Sequence, residues 1–150
     1  MESPNLLVLR QTLLGEKPLG LGIRDVLARL DHLVTDLSRD LQVELAGPAV
    51  GMRHTPDLHR LCVARHHWTG HDHEWGVAIC SMANPAFPRC EWRLSTVSRE
   101  RLPIIVRALP AFFREYARIA LELRGSRPSV WRLHEIAELL CIDSSAKASN

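Results

Sequence analysis

The sequence predicts an α+β domain in which a small three-stranded antiparallel meander is covered by a long N-terminal helix and by one or two C-terminal helices. Three observations lead to this prediction. An apolar stripe at helical spacing precedes residue 45, three segments that favour strands lie between residues 58 and 97, and a second helical pattern begins at residue 99. Helical periods on both sides of a run of strands are typical of helices packed on an antiparallel sheet.

A length of 150 residues is that of one ordinary domain, and an apolar fraction of 46% is enough for a core. We therefore predict a single domain over residues 1–150. Residues 1–21 are predicted to be an N-terminal arm or loop, with a short helix over residues 4–14 as the alternative. Residues 144–150 are predicted to be a disordered tail.

The first long helix is predicted from Ile23 to Leu45. Its apolar side chains recur at steps of three and four residues, which is the period of one helix face: Val26, Leu27, Leu30, Val34, Leu37 and Leu41. Gly47 and Pro48 are expected to end it. We favour packing of this stripe on the sheet over a dimer seam, because the stripe is too short to indicate a coiled coil.

The three predicted strands cover residues 58–68, 73–82 and 90–97. The face that must be buried fixes the register of the first hairpin. A three-residue loop over residues 70–72 puts Leu61 and Val63 on the same face as Val77 and Ile79, whereas a two-residue loop would split them. We therefore choose the three-residue loop. It places Cys62 directly opposite Cys80 on the other face.

The last third of the chain is predicted to be helical. One helix is expected from about residue 99 to residue 124, with Gly125 as its C-terminal cap. Pro110 lies inside this run, so a kink or a break is expected there. A final helix is predicted over about residues 129–141.

The segment HHWTGHDHEWG, residues 66–76, holds four of the eight histidines. In the chosen register His67 and His73 share a face near the hairpin tip, and His71 lies in the turn beside them. Three imidazoles and a water form a known catalytic zinc pattern. A zinc or nickel site at His67, His71 and His73, in a metal-binding protein or a small metalloenzyme, is therefore one hypothesis. The alternatives are a solvated hairpin tip without a cofactor and a cluster that senses pH.

The function favoured by the sequence is a non-enzymatic protein–protein interaction or adaptor module of a bacterial cytoplasmic system. The surface expected to meet the partner protein is the second sheet face, with His66, Trp68, Glu74 and Arg93. Nucleophilic catalysis by Cys62 or Cys80 is disfavoured, because no catalytic motif accompanies them. A homodimer is expected, in which edge strands pair into a six-stranded sheet.

A DNA-associated regulator is the second alternative. Arg107, Arg114 and Arg118 lie along one side of the predicted residue 99–124 helix, although a net charge of +2 is weak for a nucleic-acid binder. The segment HEIAELLCIDSS, residues 134–145, resembles the first helix and turn of a helix-turn-helix motif. Only AKASN follows it, which is too short for a recognition helix. The sequence therefore disfavours nucleic acid as a partner.

A cytoplasmic location is expected. MESPNLLVLRQTLL has an acidic start and lacks a small-residue cleavage site, so we expect no signal peptide. No apolar run reaches the roughly 18 residues that span a bilayer, so no membrane partner is expected. The four cysteines (Cys62, Cys80, Cys90 and Cys141) show no CxxC spacing and are read as reduced thiols.

Overall fold

The computed structural model describes residues 4–15, 20, 22–68 and 73–141. Two helices come first, four strands follow, and two helices close the described chain. Their bounds are α1 Pro4–Leu13, α2 Ile23–Leu41, β1 Leu45–Ala49, β2 His59–His67, β3 His73–Ser81, β4 Arg89–Arg93, α3 Leu102–Arg124 and α4 Pro128–Leu140. The α+β class is confirmed, but the prediction of three strands is wrong. The predicted tail, residues 144–150, lies outside the described residues.

The additional strand, β1, occupies the end of the predicted first helix. Helix α2 ends at Leu41, because Gln42 adopts the left-handed conformation with φ 52° and turns the chain into the sheet. Leu45 follows Leu41 by one helical turn, which is why the periodic pattern extended the helix too far. Gly47 and Pro48 are poor residues for a central strand, and here they lie in an edge strand, where proline is tolerated.

The sheet is antiparallel with the strand order β1-β2-β3-β4. Leu61 pairs with Ile79 and His67 pairs with His73, so five residues separate the last pair of the hairpin. This register differs by two residues from the predicted one, and the predicted loop over residues 70–72 lies outside the described residues. A shift of two residues keeps every side chain on its predicted face. Cys62, however, lies opposite Ala78 and not opposite Cys80.

The main core lies between the helices and the sheet face that carries Leu61, Val63, Val77 and Ile79. The predicted apolar stripe of α2 is buried in it, which supports packing on the sheet over a dimer seam. In α3 the buried residues include three aromatic side chains: Phe112, Phe113 and Tyr116. These residues are apolar on one helix face because that face meets the sheet.

Residues 4–13 form a helix that packs on the rest of the chain. The short helix predicted as the alternative is therefore present in place of a free arm. Leu6 and Leu9 of α1 are buried in the main core, and α1 contacts α2 and α4. Helix α3 continues through Pro110, so the expected break does not occur. Gly125 ends α3 with φ 69°, as predicted.

Arg124, the last residue of α3, joins the two halves of the chain. Its Nε donates a hydrogen bond to the carbonyl of Leu41 at 2.7 Å, and its Nη2 donates one to the carbonyl of Gln42 at 2.9 Å. The last carbonyls of a helix lack partners within the helix, so they need an external donor. Arg124 therefore acts as a distant cap for α2.

Among the helices of the described ranges, none combines the length and the apolar character that crossing a membrane requires.

Candidate metal centre

The second face of the sheet carries sulfur and nitrogen in place of branched aliphatic side chains. Cys62, Ala78 and Cys80 are buried there in a small cluster, against which Trp68, Met82 and Cys90 pack. His66 is also buried on this face, with 7% of its surface exposed. We call the face that bears Cys62, His66, Cys80 and Cys90 the thiol face. Its members come from β2, β3 and β4.

Cys90 reaches the thiol face because β4 contains a β-bulge. Ile79 pairs with Trp92, but the next residue of β3, Cys80, pairs with Cys90. Glu91 is therefore an extra residue in β4, and strict alternation of faces is broken there. A bulge redirects the side chains that follow it and is common beside functional sites. Cys90 was not predicted on this face, because regular alternation through residues 90–97 would place it on the face of Trp92.

Three potential metal ligands converge at this point. One ligand atom from each of His66, Cys80 and Cys90 lies within 4.8 Å of the others. The sulfur atoms of Cys80 and Cys90 are 4.0 Å apart. Two sulfurs bound to a tetrahedral zinc ion by bonds of about 2.3 Å are roughly 3.8 Å apart. The arrangement therefore needs only small side-chain movements to close around an ion of that size.

The ring of His66 has a defined hydrogen-bond partner. Its Nε2 lies 3.2 Å from the backbone carbonyl oxygen of Cys62. A carbonyl oxygen only accepts, so Nε2 carries a hydrogen, and in the neutral ring Nδ1 keeps its lone pair. Histidine ligands of metals commonly donate their other ring N–H to a carbonyl in this way. The contact with Cys62 thus leaves Nδ1 of His66 as the nitrogen able to bind a metal.

The pKa values of Cys80 and Cys90 are shifted in opposite directions. The hydrogen bond donated by Cys80 to Cys90, aided by His66 and opposed by burial, lowers the pKa of Cys90 to about 5. The hydrogen bond with Cys62, then that with Cys90, and burial all raise the pKa of Cys80. Burial opposes the charged form of His66, but the Cys90 thiolate and the Cys62 carbonyl outweigh it and raise its pKa. A thiolate is the form of cysteine that binds metals.

An open cleft with a volume of about 690 Å³ lies over the thiol face. Its walls include Cys62, His66, Cys80 and Cys90, together with part of β1 and the segment before β4. Phe87 lines the cleft and is 76% exposed, which is unusual for a phenylalanine. The cleft thus opens onto the thiol face, where Cys90 is half-buried and the other three side chains are buried.

The predicted histidine trio is brought together in part. His67 and His73 are exposed cross-strand partners, their ring centroids are 4.7 Å apart, and both line the cleft. His71 lies outside the described residues. His66, predicted as part of an interaction surface, is instead enclosed by the thiols. The feature of the sequence that could have identified this cluster is the placement of Cys62, His66 and Cys80 on one face of the predicted hairpin.

The other residues of the predicted interaction surface contact one another. The guanidinium of Arg93 lies 4.4 Å from the ring centroid of Trp68, and its Nη2 is 3.3 Å from Oε2 of Glu74. The cation–π contact and the ion pair fix the three side chains at one end of the sheet. Trp68 and Arg93 are half-buried and Glu74 is exposed, so part of each remains available to another molecule.

The predicted nucleic-acid residues form an ordinary charged face. Arg118 pairs with Glu115 and, at 2.7 Å, with Glu122. Arg107 donates a hydrogen bond to the carbonyl of Pro103 at 3.2 Å, and Arg114 is exposed. Two carboxylates therefore neutralise much of the positive charge that a phosphate backbone would need.

No protein-family model, no curated protein and no solved structure matches this chain. The described residues themselves define a small α+β protein with a Cys/His cluster at the base of an open cleft.

Proposed function

We propose that this protein binds one zinc ion through His66, Cys80 and Cys90. The observation that carries the proposal is the convergence of three ligand atoms within 4.8 Å of one another. Support comes from the orientation of His66, whose Nε2 is engaged by the Cys62 carbonyl, so that Nδ1 is the ring nitrogen left to bind an ion. The lowered pKa of Cys90 adds support, since it provides a thiolate near neutral pH.

Zinc is the ion that this set of ligands fits best. Thiolate and imidazole are softer ligands than the oxygen atoms that calcium and magnesium require. Zinc accepts two sulfurs and one nitrogen in tetrahedral geometry, and catalytic zinc sites use three protein ligands with one open position. Copper(I) also favours thiolates, so it is the competing ion that the experiment has to distinguish.

The identity of the fourth ligand decides what kind of zinc site this is. Cys62 is the nearest further cysteine on the thiol face, and its Sγ lies 3.8 Å from the carbonyl oxygen of Arg60. Rotation of its side chain toward the ion would give a closed site with four protein ligands, typical of structural zinc. A water molecule from the cleft would give an open site, typical of zinc that acts on a substrate.

The test is native mass spectrometry on untagged protein purified without a nickel column, before and after chelator and after addition of zinc. We expect one zinc per chain in the wild-type protein. Cys80→Ala and Cys90→Ala should each lower zinc affinity by at least about a hundredfold, because each removes one of three protein ligands. The matched control is the double variant His67→Ala/His73→Ala, which should keep the ion. Zinc lost only in this control would place the site at the hairpin tip and refute our assignment.

A further variant, Cys62→Ser, separates the two kinds of zinc site. Retention of zinc with an affinity within about tenfold of wild type indicates that water is the fourth ligand. A fall as large as that of Cys80→Ala indicates a closed four-ligand site. Both results presuppose one zinc per chain in the wild-type protein.

A second candidate function is a protein interaction module, and the contact of Trp68 with Arg93 favours it. Tryptophan and arginine are the residues most enriched at the centres of protein interfaces. The partner that we propose is a second copy of this chain, joined through β4. Pro48 lacks a donor and interrupts the β1 edge, whereas the described residues of β4 contain no proline. Such a pairing would make an eight-stranded sheet.

Sedimentation velocity at tens of micromolar tests this second proposal. A dimer that dissociates in the variant Arg89→Pro, on β4, supports it, because Arg89 is exposed and a proline there interrupts the backbone of that edge. The control is Pro48→Ala on the opposite edge, which should leave the dimer intact. A wild-type monomer over the whole concentration range would refute it.

A cytoplasmic location stays a prediction, with which four free cysteines agree.

A further inference from the structure

Cys80 and Cys90 are positioned to become a disulfide. They are cross-strand partners in the register of β3 and β4. Residues directly opposite each other in an antiparallel pair have Cα atoms about 4.5 to 5.5 Å apart. The Cα distances that disulfides tolerate are about 4.4 to 6.8 Å, so the strands need not move. The two sulfur atoms are 4.0 Å apart and already in hydrogen-bond contact, so closing the bond needs only side-chain rotation.

The two thiols differ in their access to solvent. Cys80 is 1% exposed, whereas Cys90 is half-buried, and both lie along the cleft. A small oxidant that enters the cleft therefore meets Cys90 first. Cys80 is the nearest thiol to Cys90 that can react with the product, because it already donates its S–H toward the Cys90 sulfur. Attack by a neighbouring thiol is the usual fate of an oxidised cysteine.

We propose that Cys90 and Cys80 form a peroxide-sensitive thiol pair. In the first step the Cys90 sulfur attacks hydrogen peroxide, the O–O bond breaks, and a sulfenic acid and one water form. In the second step the Cys80 thiol attacks the Cys90 sulfur, the S–O bond breaks, and a disulfide and a second water form. The two thiols lose two electrons in total, and the peroxide is reduced to water.

This inference extends the proposed function to its regulation, and this part rests on zinc being bound. Sulfurs joined in a disulfide no longer act as thiolate ligands. Oxidation would leave only His66 of the three ligands and release the ion. Reduction of the disulfide by a small thiol would restore the site. The pair would thus couple metal occupancy to peroxide.

The experiment treats metal-free, fully reduced protein with hydrogen peroxide, blocks the remaining thiols, and maps tryptic peptides without reduction. Trypsin separates the three cysteines of the thiol face, because Arg65, Arg89 and Arg93 lie between or beside them. We expect the peptide of residues 66–89 to be linked to the peptide of residues 90–93. Cys141, also partly exposed, is the internal reference, and Cys90 should react at least about tenfold faster.

Two variants make the result specific. Cys62→Ser should still form the same link, since the cross-strand partner of Cys90 is Cys80 and not Cys62. Cys80→Ala should form no link and should leave Cys90 as a sulfenic acid that a dimedone probe captures. A link between residues 61–65 and 66–89 as the main product, or reaction of Cys90 no faster than Cys141, would overturn the proposal.

A parallel sample loaded with zinc separates the two proposals. We expect one zinc released for each disulfide formed, followed with a chromogenic zinc indicator. If the chain binds no zinc but the metal-free protein forms the link, the metal proposal fails and the thiol pair stands. If zinc binds but peroxide produces no link with or without the ion, the thiol pair fails and the metal site stands.

Discussion

The two faces of the sheet are built from alternate residues of the same strands, yet they differ in almost every physical respect. On the helix-covered face, β2 and β3 place branched aliphatic side chains in the main core. On the thiol face, the neighbouring positions carry small or sulfur-containing residues beneath an open cleft. The alternation of side chains along one hairpin thus places the aliphatic core on one face and the sulfur-containing cluster on the other.

Adjacent residues on opposite faces give the largest contrast. Ile79→Ala should destabilise the metal-free protein by about 3 kcal/mol, because Ile79 is fully buried in the main core. Cys80→Ala should change it by only about 1 kcal/mol, since it removes a single sulfur atom from a small cluster. Urea unfolding measures both.

The same two variants should rank in the opposite order when the loss of bound zinc is measured. Ile79→Ala should keep one zinc per folded chain, whereas Cys80→Ala should lose it. If both variants lost stability equally and both kept the ion, the functional distinction between the faces would not exist.

Packing on the helix-covered face can also be tested in β1, at a position where this strand lies close to α3. A Cβ on Gly47 would lie 2.5 Å from the carbonyl oxygen of Leu61 and 2.8 Å from Cδ1 of Phe112. Both distances are repulsive, so Gly47→Ala should destabilise the protein by about 2 kcal/mol. Gly22→Ala is the control, because a Cβ there meets no atom within 4 Å. Thermal unfolding of the two variants should differ clearly, and equal midpoints would contradict this packing.

The helix-covered side also holds a buried carboxyl group. Burial raises the pKa of Asp31, although Arg93 and the hydrogen bond from Ser95 oppose the shift. A raised folded-state pKa contributes stability below the unfolded value of about 3.9 and loses it as the pH rises through the folded value. The ionised form therefore weakens the fold at neutral pH.

Asp31→Asn removes this charge and keeps an oxygen that accepts from Ser95, 3.3 Å away. We expect a small gain in the free energy of unfolding at pH 7 that shrinks toward pH 4, followed by urea unfolding at a series of pH values. Asp36→Asn, at an exposed carboxylate of the same helix, should show no such trend. A gain that is the same at every pH would assign the effect to something other than ionisation.

The smallest effect is expected at the end of the thiol face. The side chain of Arg93 is 34% exposed, so its contacts with Trp68 and Glu74 are screened by water. Arg93→Ala should destabilise the protein by less than about 1 kcal/mol. Arg93→Lys keeps the charge but loses the planar group over Trp68, so it tells the two contacts apart. A loss above about 2 kcal/mol would show that this corner is part of the structural core.

The periodicity of apolar residues predicted those elements in which one helical or strand period continues over many residues. It located α2, α3 and α4, and it put Leu61 and Ile79 on one face and Cys62 and Cys80 on the other. It failed where one residue broke the rule. The left-handed conformation of Gln42 ends α2 before the predicted position, so β1 was not predicted. The extra residue Glu91 places Cys90 on the thiol face. Both depend on contacts distant in sequence, which local patterns do not contain.

The cluster that converges in the structure lies partly in the predicted hairpin but differs from the predicted trio. A density of four histidines in HHWTGHDHEWG drew attention to the tip, whereas the convergent group combines His66 of that segment with Cys80 and Cys90. Single cysteines on separate strands show no spacing motif, because their proximity is created by strand pairing. Only the register of β3 with β4 brings Cys80 and Cys90 together.

The hydrogen bond from Arg124 to the end of α2 can form only after α3 has been synthesised. The carbonyl of Leu41 receives its donor from a residue 83 positions later in the chain. During synthesis from the N-terminus, α2 is produced long before its cap exists, and water must satisfy its last turn in the meantime. Ribosome-bound chains that stop short of Arg124 should therefore show a frayed end of α2, and the first half of the protein becomes complete only when α3 has been translated.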